Sequence, residues 1–91
     1  MNSHNGWPNK ETWAASLWLG NTEHLYNWHE AILDDVRQGR LDRYEAEAQI
    51  AEQFADWRAD LADGTLANPE IRMMIVEVGS LWRVEWSKLV Y

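Results

Sequence analysis

Cysteine is absent from the 91-residue chain, which excludes disulfides and thiolate metal sites and fits a reducing compartment. No apolar run approaches the roughly 18 residues needed to span a bilayer. The polar start Met1-Asn2-Ser3-His4-Asn5 lacks the basic and apolar regions of a signal peptide. A soluble, cytoplasmic protein with no membrane partner is expected. Basic side chains are the minority: 8 Lys and Arg stand against 15 Asp and Glu, for a formal net charge of -7. Long-range electrostatics therefore oppose direct contact with nucleic acid and favour a basic partner. Serines are few and no Gly-rich phosphate loop is present, so no constellation for hydrolysis or group transfer is visible and no catalytic residue is assigned. The chain is read as a non-enzyme.

What is present is a real core composition: 46% of the residues are hydrophobic, and seven are tryptophan. At this length they form one domain. Three of the tryptophans, Trp7, Trp13 and Trp18, fall in the opening stretch Asn5 to Asn21, between Asn-Gly and Gly-Asn turn signals. Asn9 is a helix N-cap with Glu11 in the first turn, and Trp13, Ala14, Leu17 and Trp18 make one face of a helix over about 10–19, ended by Gly20. A second helix over about 22–38 carries Leu25, Trp28 or His29, Ile32 and Val36, with Gly39 as its left-handed stop. The break at Gly20-Asn21 makes these two a hinged pair.

Asp42-Arg43-Tyr44-Glu45 has capping-box spacing and opens the third helix, over about 43–63, whose buried stripe is Ile50, Phe54, Trp57 and Leu61. Asn68-Pro69-Glu70 starts the fourth, over about 69–89, with Ile71, Met74, Ile75, Val78, Leu81, Trp82, Trp86 and Leu89 on one face. Gly79-Ser80 interrupts that face at a cost of about 1 kcal/mol relative to alanine, which admits a kink or break. Residues 84–91 are read as helix over the extended alternative that their β-forming side chains allow. The expected fold is a compact, single-domain, all-α bundle of about four helices.

The run Asn5-Gly6-Trp7, Asn9, Glu11-Thr12-Trp13, Leu17-Trp18, Asn21, Glu23 and Leu25-Tyr26-Asn27 resembles a motif of small proteins carried by tailed bacteriophages, plasmids and other mobile elements. The match covers about the first quarter of the chain. Lys10 replaces the tyrosine usual before Glu-Thr-Trp, which puts any role of that ring in doubt. The family has no established activity, so the resemblance transfers no catalytic residue. It implies a mobile-element origin, and with it the expectation of an anti-defence role against a host system such as CRISPR or restriction.

The histidines make no metal site, since His24 and His29 are five apart, about 140° around a helix. No metal and no cofactor is expected. The carboxylates are more informative. Asp42, Glu45, Glu52, Asp56, Asp60 and Asp63 fall within about 80° of one another around the third helix, opposite its apolar stripe. With Glu47 they are seven acids against Arg43 and Arg58, most of the protein's net charge. Such faces commonly do no more than solvate, but this one has a single sign where mixed charges are usual. Thickened by Asp34 and Asp35 of the second helix, the ridge is the predicted binding site for a basic host protein or nucleoprotein complex, which it would block by imitating nucleic acid. The alternative is an interaction module, an adaptor or homo-oligomer, that uses an exposed Trp and Met surface. Trp13, Trp18, Trp57 and Trp82 are placed in the core, leaving Trp7, Trp28 and Trp86 as candidate exposed anchors.

Overall fold

A computed structural model describes residues 6–91, so Asn5 of the opening stretch lies outside the described residues. The first helix, α1, runs Lys10–Asn21. The Asn9 side chain caps it by accepting from the Thr12 amide. Gly20 does not stop the helix, contrary to expectation. The chain leaves helical geometry only at Thr22, which is extended at φ -116, and re-enters at once into α2, Glu23–Arg37. The buried line of α1 is Thr12, Ala15 and Leu19, not the tryptophan face. Small side chains let α1 sit close to its neighbours, while Trp13 and Trp18 flank that line half-buried.

In α2 the buried residues are Leu25, His29, Ile32 and Leu33, so the choice between Trp28 and His29 falls on the histidine. The third helix, α3, runs Arg43–Asp63 with the expected capping box between Asp42 and Glu45, and it ends on Gly64 at φ 74. Its strictly buried residues are Ala46, Ile50 and Phe54. Phe54 is fully enclosed and meets Trp57 and Trp86 edge-on at 5.4 and 5.1 Å, and Trp57 meets Trp28 in the same manner at 5.5 Å. Pairs of this geometry add about 0.5–1.5 kcal/mol each beyond their area.

The fourth helix, α4, starts as read, with Asn68 accepting from the Glu70 and Ile71 amides and Pro69 in the first turn. It ends at Val78, eleven residues short of the expected 89. Gly79 has φ 79 and ψ -119, a conformation that L side chains rarely adopt and that ends the α-helical ladder. The remainder is neither α-helix nor strand: it is an extended tail with two 3-10 turns, Leu81–Arg83 and Trp86–Leu89. Its Val84, Leu89 and Val90 are buried, against α1 on one side and α3 on the other. With α1 packed on α2 and α4, and α3 on α2 and α4, the protein is an all-α bundle of four helices closed by this tail.

Candidate functional site

The opening motif holds the tail. The Asn9 side chain takes the Thr12 amide and hydroxyl on its oxygen, at 2.8 and 2.7 Å, and gives its amide to the Arg83 carbonyl at 2.7 Å. The buried Thr12 hydroxyl in turn accepts from the Glu85 amide at 2.9 Å. Glu11 pairs with the Arg83 guanidinium at 3.4 Å. Three further side chains grip the tail from other helices. Nε2 of buried His29 donates to the Leu89 carbonyl at 2.7 Å, Arg43 donates to Val90 at 2.6 Å, and Arg58 donates to Gly79 at 2.7 Å. The tail's two 3-10 turns bond only some of its carbonyls, and those of Gly79, Arg83, Leu89 and Val90 find these side-chain donors instead. Asn9, Glu11 and Thr12 thus have a structural use that their spacing in the sequence does not reveal.

Trp82 lies between the residues that are held, Gly79 and Arg83. Expected in the core, this indole is instead 81% exposed, because the break at Gly79 turns the residues after it away from the α4 face. The Arg83 guanidinium lies over its ring at 5.6 Å. The three tryptophans expected at the surface, Trp7, Trp28 and Trp86, are all partly buried against the core. The exposed indole is therefore the one that helical periodicity places in the interior.

The predicted ridge is exposed along α3, but its members differ in what surrounds them. The Asp42 side chain accepts from the Glu45 amide at 2.8 Å and Glu45 answers at 3.3 Å, so both belong to the helix cap. Asp34 and Asp35 lie within ion-pair distance of Arg40, at 3.3 and 2.9 Å, and Asp34 also of Arg37. They add little net charge to the ridge. Glu52, Asp56, Asp60 and Asp63 have no ion pair or side-chain hydrogen bond among the described residues. Glu52 and Asp56 rim a shallow groove of about 240 Å³ between α2 and α3, walled by Trp28 and Ile32.

The opposite flank of α3 is apolar. There, Leu61 and the outward Met73 and Val76 of α4 line a groove of about 370 Å³ with Arg72 and Glu77 at its edges. Met73 is 56% and Val76 68% exposed. A second hollow of about 290 Å³ shares Leu61 and Val76 and extends the groove to Arg58 and Gly79. Trp18 of α1 reaches the Glu77 carboxylate through Nε1 at 3.4 Å, and with Leu17 it lines a separate hollow at the end of α1. The signal for this groove was in the sequence: α4 is apolar on more sides than one core-facing stripe requires.

His24 stands 3.9 Å from Glu70 at the surface, and no three His, Asp or Glu side chains among the described residues form a group that could hold a metal ion. No helix among the described residues is long and apolar enough to cross a membrane. Fold and surface together define a small helical protein with an apolar groove on one flank of its longest helix and an acidic face on the other. The chain belongs to a family of unknown function, DUF7249, which matches residues 1–82 and so includes both flanks and Trp82. Comparison with curated proteins and with solved structures gave no match.

Proposed function

We propose that this chain is a non-enzymatic protein-binding module that seats a partner in the groove between α3 and α4. The observation that carries the reading is the exposure of Met73 and Val76 over an apolar groove continuous with Leu61. Methionine and aliphatic side chains left in water beside a concavity are the raw material of an interface core, where a few residues supply most of the binding energy. The test is affinity capture with the full chain and two sets of variants. A partner is expected to be retained at high salt, to be retained by Asp56→Lys with Asp60→Lys, and to be reduced at least about tenfold by Met73→Glu. Loss with the lysine pair and retention with Met73→Glu overturns the reading.

That second outcome belongs to the other reading, supported by the unpaired state of Glu52, Asp56, Asp60 and Asp63. In it, a mobile-element protein binds and inhibits a basic, nucleic-acid-binding host defence complex through the acidic face of α3. The four carboxylates follow one another at about 4.5 to 6 Å along the axis, sparser than the roughly 3.4 Å of phosphates along one DNA strand. Binding of that kind weakens steeply with salt.

A further inference from the structure

Resting on the groove as the binding site, we infer the chemistry of what fills it: an amphipathic helical segment of another protein, with aliphatic side chains on the seated face and carboxylates at both ends of it. The argument comes from the arginines. With 15 acids to 8 bases, carboxylates are plentiful, and Arg37, Arg40 and Arg83 each lie within ion-pair distance of one. Among the described residues, Arg58 and Arg72 have no such carboxylate. Each donates instead to a backbone carbonyl, Gly79 at 2.7 Å and Leu66 at 3.2 Å. Arg43 also rests on a carbonyl, but at the tail.

Arg58 and Arg72 both line the apolar groove, Arg72 beside Met73 and Arg58 beside Gly79. One carbonyl occupies one of a guanidinium's five N–H donors, so each fork remains able to hold a carboxylate. The carbonyl also pins each guanidinium in place, which lowers the entropy lost when a partner arrives. Glu77, whose Oε1 accepts from Trp18, is the carboxylate at the groove's edge and disfavours an acid placed beside it rather than at an arginine. The Arg72 guanidinium is held at the Leu66 carbonyl and that of Arg58 at the Gly79 carbonyl, so the two forks stand at the two ends of α4, whose 10 residues span about 15 Å or nearly three helical turns. An acid, a stripe of aliphatic residues and a second acid about ten positions on would place carboxylates at both arginines and apolar side chains over Met73, Val76 and Leu61.

The probe is a displayed library of helical peptides with leucine fixed along one stripe and the flanking positions randomised, selected against the full chain and then measured by fluorescence anisotropy. Selected peptides are expected to carry Asp or Glu at both ends of the stripe and to lose their binding with Met73→Glu. They should weaken roughly threefold with Arg72→Gln alone and roughly tenfold when Arg58→Gln is added, with partial recovery in the lysine variants. Thermal unfolding of each variant shows whether the fold persists, and Arg72→Gln, which leaves the Gly79 carbonyl partnered, keeps the test valid if Arg58→Gln does not fold. Peptides with basic or neutral flanks, or Met73-dependent binding that ignores both arginines, overturn the inference and leave the groove standing. Sedimentation showing the chain pairing with itself through Met73 overturns it in favour of a second copy. The absence of any Met73-dependent binder overturns the groove as well.

Discussion

The two flanks of α3 are built from the same helix and differ in nearly every physical respect. On the flank toward α2, Glu52 and Asp56 stand beside amides and an indole wall, with Asp60 and Asp63 continuing the line. On the flank toward α4, Leu61, Met73 and Val76 form an apolar trough between two arginines that have no carboxylate partner. Charge repulsion is tolerated on the first flank and water contact with aliphatic side chains on the second. Either one is a cost to folding that a protein selected for stability alone would remove. One helix thus carries two surfaces of opposite chemistry, with the buried line of Ala46, Ile50 and Phe54 between them on its inner side.

The strongest way to break the comparison is to remove what both flanks stand on. Phe54→Ala deletes the fully enclosed ring that Trp57 and Trp86 abut, and should cost about 3–5 kcal/mol by chemical denaturation. Both surfaces should fail together, which gives the signature of global loss against which surface variants are judged. A smaller change tests the clasp. Thr12→Val keeps shape but leaves the Glu85 amide without its acceptor, at about 1–3 kcal/mol. Hydrogen exchange should rise over residues 83–90 while α3 and α4 keep their protection. Equal loss everywhere would show that the tail and the flanks do not open separately.

Reversing the acidic flank sharpens the contrast further. Asp56→Lys with Asp60→Lys should leave stability within about 0.5 kcal/mol of the parent or slightly above it, since both residues are exposed and repel their neighbours. Any gain should shrink with added salt, whereas Met73→Glu should show no gain at any ionic strength. A salt-independent gain would mean that the ridge carboxylates do not repel one another.

How far these features are legible in the sequence depends on the range of the interaction that fixes them. Asn9, the Asp42 and Glu45 box and Asn68-Pro69 are local: a cap acts within one turn, and the structure has each where its residue type and spacing place it. The end of α4 is not local in the same way. The apolar spacing from Ile71 to Leu89 stays helical through Gly79, whereas the chain past the turn at Gly79 is held against α1, α2 and α3 by Thr12, His29, Arg43 and Arg58. Those bonds join residues 21 to 73 positions apart, beyond the reach of any periodicity. The exposure of Trp82 lies beyond that reach for the same reason. The pairing of Asp34 and Asp35 with Arg40 depends on how the chain turns after α2, which a helical projection of α3 does not contain.

The smallest expected effect lies where the tail meets α2, away from both flanks. Tyr91 packs its ring edge-on against His29 at 5.9 Å, and its hydroxyl is raised above the ordinary 10.0, by partial burial first and then by the nearby Glu30 and Tyr26, with Arg37 opposing. The residue is 68% exposed, so solvent screens much of this and the effect is small. Below the ordinary value both folded and unfolded chains keep the phenol protonated, and it contributes no pH dependence. As pH rises through that value toward the folded one, the unfolded chain ionises first and stability falls. Tyr91→Phe should therefore lose less of its Tm than the parent between about pH 9 and pH 11, because the phenol is the one titrating group by which the two proteins differ. Peptide binding in the α3/α4 groove should be the same in parent and variant at every pH. A larger alkaline loss in the variant would show that the phenolate is stabilised at this contact, and a change in groove binding would join the tail to the flank from which it is here held separate.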